Sequence, residues 1–330
     1  MSRARNPGSA LVCGSIAYDT IMVFDDRFRH HILPEQLHIL NVSFLVPRMR
    51  RDFGGCAGNI AYNLRLLGDR GYPMATVGGD FGPYRDWLQR AGVPVDYVRT
   101  IEAQHTAQAF ITTDLDGNQI TAFHPGAMLE SHLIDIPRDS GISLGVVAPD
   151  GREGMVEHAR QLAAAGIPFM FDPGQGLPMF AVAELTRFVE QAAWVVVNDY
   201  EWRLLQRKTG WTAADVTGRV EALIVTRGDA GSTIYTDTEE IAIPCAKVGP
   251  LKLSSSLDPT GCGDAYRAGL VHGLLHGFDW QTTGRIAAVM GAIKVESLGT
   301  QNHSFSAAEF QGRYTASFGP AATAIELGSS

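Results

Sequence analysis

Trp194-Val-Val-Val-Asn198-Asp-Tyr-Glu201-Trp-Arg-Leu-Leu-Gln-Arg-Lys208 is the stretch from which the fold can be read. The apolar run ending at Asn198 suits a strand buried on both faces, and Asp199–Lys208 reads as a helix. Leu223–Thr226 then supplies a second buried strand. The same alternation extends in both directions. Upstream, Leu11–Ser15, Leu144–Ala148 and Pro168–Asp172 read as strands, the last ending in a Pro-Gly turn. Gly58–Leu67 (closed by Gly68), Tyr84–Ala91, Gly151–Ala165 (ended by Gly166) and Ala181–Ala192 read as helices. Downstream, helices are expected near Gly261–Gly277 and Thr282–Ser297. Short apolar strands alternating with helices predict an α/β fold of three layers, a mostly parallel sheet flanked by helices. Ligands in such folds sit at the carboxyl ends of the strands.

Two regions break the pattern. Ile21–Arg51 and Ala107–Phe123 carry period-two segments, and Ala109–Thr113 and Gln119–Phe123 flank the turn Asp116-Gly117 as a β-hairpin would. With no repeats, low-complexity tracts or long linkers, residues 1–330 are expected to form a single domain. Excursions at about 20–52 and 105–125 would build a small β-sheet lid or a dimerisation sheet.

Composition narrows the function. The chain has 330 residues, 45% hydrophobic and 19% charged, with a net charge of −8. An acidic chain with no Lys/Arg block argues against a nucleic-acid surface. No 18-residue apolar run exists for a membrane span and no signal-peptide h-region follows the polar start, so a cytoplasmic protein is expected. The four cysteines, Cys13, Cys56, Cys245 and Cys262, lack C-x-x-C spacing, and the histidines do not assemble into a metal set.

Five segments carry chemistry. In Asp258-Pro-Thr-Gly-Cys-Gly-Asp264, Thr260, Gly261 and Gly263 break the backbone just before a carboxylate and an apolar helix. Such a turn aims unpaired N–H groups, backed by the helix dipole, at one anion. Asp264 can then serve as a base that orients a hydroxyl toward it, so the motif reads as a phosphoryl-transfer centre. Cys262 reads as a small filler of the anion loop rather than a nucleophile. Asp52-Phe-Gly-Gly-Cys-Ala-Gly-Asn59 is a second glycine-rich turn, whose Asn59 offers both donor and acceptor; a polar helix cap is the competing reading. Asp19, after the first strand, can accept two vicinal sugar hydroxyls or be an ordinary turn carboxylate. Asn198 and Glu201 can face one site and hold hydrated Mg²⁺ near phosphates, with capping as the alternative. Thr226-Arg-Gly-Asp-Ala-Gly231 follows a strand and can offer Thr226, Arg227, Gly228 and Gly231 to a nucleotide, or be a plain β-turn.

In their order and spacing these segments resemble the ribokinase/PfkB family of carbohydrate and nucleoside kinases, over about residues 10–310. The resemblance implies ATP and Mg²⁺ as requirements, Asp264 as the base, Gly261, Cys262 and Gly263 as the anion hole, and Asn198 with Glu201 organising Mg²⁺. It also implies a homodimer formed through the lid, and a monovalent cation such as K⁺ near Val295-Glu-Ser-Leu-Gly-Thr-Gln301. The closer resemblance is to bacterial adenosine kinases, through Gly14–Met22, Leu33-Pro-Glu35, Ser43–Val46, Tyr84–Leu88, Pro125–Met128, Asn198–Trp202 and Lys208–Trp211. By it Ser15, Asp19, Ser43, Gly55 and Asn59 would bind the nucleoside and Phe123 would cover the base.

This chain departs from that branch in two places. Ala109 stands where a second lid aromatic is expected, with Phe110 on the opposite strand face. The run Asp172-Pro-Gly-Gln-Gly-Leu-Pro-Met179 keeps Gln175 but has Gly176 and Met179 in place of a second glutamine and an arginine. The expectation is phosphorylation of the 5′-hydroxyl of adenosine to AMP. The alternatives are another nucleoside, a sugar or sugar phosphate, or a kinase fold kept as a ligand sensor. Arg or Lys residues facing the cleft would favour a phosphorylated sugar.

Overall fold

The computed structural model describes residues 8–32, 41–137, 141–249, 257–321, 323–325 and 327. The Leu33-Pro-Glu35 segment and part of the first excursion lie outside the described residues. In chain order the strands are β1 (Ser9–Cys13), β2 (Ala17–Val23), β3 (Arg48–Gly54), β4 (Gly71–Gly78), β5 (Tyr97–Ile101), β6 (Ala107–Thr113), β7 (Gln119–His124), β8 (Ile142–Val147), β9 (Phe169–Phe171), β10 (Trp194–Asn198), β11 (Ala222–Thr226), β12 (Ser232–Tyr235) and β13 (Glu240–Ile243). The helices are α1 (Cys56–Leu67), α2 (Gly82–Arg90), α3 (Arg152–Ala164), α4 (Val182–Gln191), α5 (Asp199–Thr209), α6 (Ala213–Thr217), α7 (Cys262–His276), α8 (Trp280–Val295) and α9 (Ala307–Phe318).

Nine strands form one sheet in the order β13-β12-β11-β10-β9-β8-β1-β4-β5. Pairing is parallel from β11 to β5, and the hairpin β12–β13 adds two antiparallel strands at one edge. Successive strand residues face opposite layers. Trp194 and Val196 pack with α1, α7, α8 and α9, while Val195 and Val197 pack with α3, α4, α5 and α6. The three-layer α/β expectation holds, and the continuous apolar strands follow from burial on both faces.

Local boundaries also match their chemistry. Gly68 (φ 88°) accepts the left-handed turn that ends α1, and its N–H bonds to the Arg65 and Leu64 carbonyls. β4 was not visible in the sequence because Pro73 sits inside it, paired beside Val12 one strand in from the sheet edge.

A second sheet of four strands, β3-β2-β6-β7, stands apart from the large one. β6 and β7 form the expected hairpin, with Thr113 opposite Gln119. The sequence also hid β2, which pairs with both β3 and β6. β7 is exposed along its whole length. The carboxyl ends of β1, β8, β9, β10 and β11 lead into Ser15, Asp150, Asp172, Asn198 and Thr226, all of which line one of two adjoining cavities.

Candidate active site

The loop Asp258–Asp264 enters α7 through Gly261, which caps the helix in the left-handed region at φ 77°. Gly261, Gly263 and Asp264 line a cavity of about 640 Å³. Cys262 behaves differently from its neighbours. Its N–H donates to the Pro259 carbonyl (3.1 Å), and its side lines a second cavity of about 300 Å³. Burial pushes its thiol up to about 11, which suits a packing residue rather than a nucleophile.

Asp264 accepts a hydrogen bond from Asn59 Nδ2 at 2.8 Å. Burial raises its carboxyl to about 6, helped by Asp172, while Asn59 and Arg267 pull the other way. That places a potential base near neutrality. Asn59 is held by a buried network: Gln301 Nε2 donates to its Oδ1 (2.9 Å) and Asn63 Nδ2 to its carbonyl (2.8 Å). Trp87 Nε1 in turn donates to Gln301 Oε1 (2.9 Å). The second glycine turn that precedes Asn59 needs its glycine. Gly55 has φ 88°, and a Cβ there would lie 2.6 Å from the Ser15 carbonyl oxygen.

One pair at the centre escaped the sequence reading. Arg267 Nη2 donates to Asp172 Oδ1 (2.7 Å), and Nη1 donates to the Gly263 carbonyl (3.1 Å), bracing the loop from below. Both residues are buried. The available signal was a single guanidinium in the apolar run Ala265–Leu270, because a buried charge demands a partner.

The first cavity also gathers Ser15, Asp19, Asn59, Phe123 and Gln175. Asp19 lies on β2 opposite Asp52 of β3. A Cβ on Gly54 would come within 2.4 Å of Asp19 Oδ2, so glycine makes room for that carboxylate. Burial raises Asp19 to about 6, with Asp52, Asp264 and Asp258 adding to the effect. Ser15 Oγ accepts from the Cys56 N–H (3.1 Å). Phe123 and Ala109 are cross-strand neighbours in the cavity wall, so Phe123 has no aromatic facing it across the pair. Asp150, at the end of β8, also lines the cavity and was missed. It is 3% exposed, and burial pushes its carboxyl up to about 8. Ser43 is exposed and is not part of the cavity wall.

Asn198 and Glu201 both face this cavity while making the reciprocal cap of α5. Glu201 accepts from the Asn198 N–H (2.7 Å) and Nδ2 (2.8 Å), and Asn198 Oδ1 accepts from the Glu201 N–H (2.8 Å). Capping and site-facing roles therefore coexist. Burial raises the Glu201 carboxyl and Asp172 adds to it, so the pair would welcome a cation.

Thr226, Gly228 and Gly231 line the second cavity beside Tyr266 and Ala292. Arg227 does not join them, because its Nη1 donates to Thr233 Oγ1 (2.6 Å) on β12. Gly263 belongs to both cavities. Two cavities thus meet at one residue, with a chamber lined by several acidic side chains on one side and a largely apolar slot on the other.

The pfkB family carbohydrate kinase model matches residues 19–307. The chain belongs to the pfkB family of carbohydrate kinases. Within this family it is 32% identical to a nucleoside kinase of Methanothermobacter thermautotrophicus, over 94% of this chain and 96% of that protein. A nucleoside kinase of Methanocaldococcus jannaschii is also 32% identical, over 80% of this chain and 85% of that one. Among solved structures, Burkholderia thailandensis nucleoside kinase in complex with inosine superimposes with a TM-score of 0.84 at 50% identity, covering 94% of this chain and 98% of that one. Among the described residues no helix is long and apolar enough to cross a membrane.

Proposed function

We propose that this pfkB-family protein transfers the γ-phosphoryl group of ATP to the 5′-hydroxyl of a purine nucleoside, adenosine among its acceptors. The observation that carries the reading is Asp264, a carboxylate raised toward neutrality at the N-terminus of α7, where a chamber lined by acidic side chains and an apolar slot meet. The chamber would take the nucleoside. Asp19 accepts from the ribose hydroxyls, and Asn59 holds Asp264 in line. The slot by Thr226 and Gly231 would take the adenine of ATP, so the phosphate chain crosses at Gly263.

In this reading Asp264 takes the proton of the 5′-hydroxyl as that oxygen attacks the γ-phosphorus. The bond from phosphorus to the ADP oxygen breaks as ADP leaves. The amides of Gly261 and Gly263 stabilise the charge developing on the transferring group. Asn198 and Glu201 would hold hydrated Mg²⁺, whose charge neutralises the phosphates. The small sheet would act as a lid over the nucleoside and exclude water from the transfer. The fully exposed β7 is the surface through which two copies would pair.

The acceptor follows from what lines the chamber. Arg267 is the one cationic side chain in its wall, and Asp172 already engages it. Among the described residues the chamber wall therefore offers no free cation to receive a phosphorylated sugar. Gln175 offers an amide with both a donor and an acceptor, which serves a 6-amino or a 6-oxo purine. The relative solved with inosine agrees with a purine acceptor that extends beyond adenosine.

ADP release from ATP, measured against adenosine, inosine, ribose, fructose and ribose 1-phosphate, tests the reading. Turnover with a purine nucleoside, lost in Asp264→Asn, is expected. Turnover confined to sugars would overturn it, and ligand binding without any turnover would point to a sensor instead.

A further inference from the structure

Lys294 stands out among the residues that the reaction does not use directly. It lies in the last turn of α8 and is 0% exposed. A buried ammonium normally sits against a carboxylate. Here Nζ instead donates to two backbone carbonyls, Asp258 O (2.8 Å) and Ser297 O (3.0 Å). Among the described residues no carboxylate oxygen lies within ion-pair distance of Nζ.

Those two carbonyls are the seam of the phosphoryl-transfer loop. Asp258 opens the loop that ends at Asp264, and its N–H donates to the Val295 carbonyl (2.8 Å). Its carboxylate accepts from the Thr260 N–H (3.0 Å) on one side and the Gly299 N–H (2.8 Å) on the other. Thr300 Oγ1 continues the seam by donating to the Phe53 carbonyl. Loop 258–264 and turn 295–300 are thus stitched together around the buried Lys294 ammonium, with Arg50 Nη2 3.9 Å from Asp258 Oδ2 on the more exposed side. Burial pulls the Lys294 pKa down, with Asp258 and Asp52 opposing it and Arg50 adding to it.

Carbonyl oxygens converging on a buried unit charge can solvate a monovalent cation as well as an ammonium. We propose that the Lys294 ammonium is a built-in cation for the anion loop. It occupies the position that a bound K⁺ would need, so the enzyme works without one. It neither touches substrate nor transfers a proton. It is a positioning residue: it fixes the carbonyls of Asp258 and Ser297 inward, which turns the following amides toward the transferring phosphoryl group. Its charge also supports the developing negative charge from behind the loop. Under this proposal the enzyme needs no added monovalent cation, whereas the family resemblance leaves K⁺ as an option. This inference rests on the kinase reading above.

The test compares the wild type, Lys294→Ala and Lys294→Met in nucleoside-dependent ADP formation. Each is assayed in KCl, NH₄Cl or tetramethylammonium chloride at equal ionic strength. The wild type should be indifferent to the salt. Lys294→Ala should lose kcat by on the order of a hundredfold, comparable to losing one oxyanion donor, with little change in the nucleoside KM. K⁺ or NH₄⁺, but not tetramethylammonium, should restore part of that loss. Lys294→Met fills the space without charge and should stay slow in every salt.

Wild-type stimulation by K⁺, or a Lys294→Met enzyme with normal kcat, would overturn the proposal. If both variants melt below the assay temperature, the wild-type salt response alone decides. Should the wild type turn over no nucleoside, the kinase reading fails first. Calorimetry with the non-hydrolysable ATP analogue AMP-PNP then reads the loop by itself. K⁺ tightening binding to Lys294→Ala alone supports the built-in cation, and K⁺ tightening the wild type overturns it.

Discussion

Helix α7 meets a carboxylate at each end, half-buried Asp264 in its own first turn and buried Asp69 from the turn after α1, and the two ends treat it in opposite ways. At the N-terminus Asp264 has Asn59 as its hydrogen-bond donor, sits close to Asp172, and is pushed up to about 6. At the C-terminal half Asp69 accepts from His272 Nδ1 (2.6 Å) and His276 Nε2 (2.9 Å). Burial alone would raise Asp69, but these hydrogen bonds more than offset it and its pKa is lowered. One carboxylate is kept under-satisfied and the other is fully stitched into the core. The difference separates a group held ready to change its protonation from one that ties α7 to the turn after α1.

Exchanging the charges at the two ends breaks this comparison most sharply. Asp264→Asn should lower kcat by about a thousandfold, within the range for loss of a general base. The same change should raise the melting temperature of the ligand-free protein by about 2 °C, since it relieves an unfavourable buried charge. A melting temperature that falls would show that Asp264 is structural. Next in size, Asp172→Asn strands the Arg267 guanidinium beneath the loop and should cost about 3–5 kcal/mol in denaturant unfolding, along with most of the turnover. A variant of unchanged stability would mean that Arg267 finds another partner.

Asp69→Asn should show the mirror-image pattern. Loss of one carboxylate from the His272–His276 pair should cost about 1–3 kcal/mol of stability and leave kcat and the nucleoside KM unchanged. A changed kcat would mean that the far end of α7 is coupled to the loop. The smallest effect is a difference in pH response. Because the base must be ionised, kcat/KM should fall about tenfold per pH unit below about 6. The folded pKa of Asp69 is lowered, so its stabilising contribution is complete above the ordinary value of 3.8 and is lost only as the pH drops through the lowered pKa. Between pH 5 and pH 7, about the window in which activity changes, the unfolding free energy should carry no step from Asp69. A step in that window that disappears in Asp69→Asn would erase the distinction between the two ends.

The same contrast explains what was legible in the sequence. The N-terminal end of α7 announces itself, because glycines that permit close approach and a carboxylate in the first turn are written in consecutive positions. Asn59 and Asn198 were legible for the same reason: each follows a strand or a glycine turn. The C-terminal end was silent. His272 and His276 looked like scattered histidines, because their partner Asp69 is about 200 residues away in the chain. Arg267 and Lys294 were hidden likewise, since the groups that justify burying their charges come from β9 and from the backbone of a distant loop. In the fold, unbroken apolar strands such as β10 were plain. β4 was disguised by Pro73, and β2 by its pairing with two strands that both lie well downstream of it in sequence. Local chemistry reads directly from a sequence, whereas pairing across long loops depends on the closed structure.

Among the described residues Gly263 is the one that lines both chambers, and that shared wall has a consequence for ligand design. The acceptor and the adenine of ATP would be held simultaneously, on opposite sides of a gap that a phosphate chain can cross. A bisubstrate molecule, with a purine nucleoside joined through its 5′-oxygen to adenosine by a short polyphosphate, would fill both chambers at once. Such a tether converts two weak associations into one, at an effective concentration in the millimolar range.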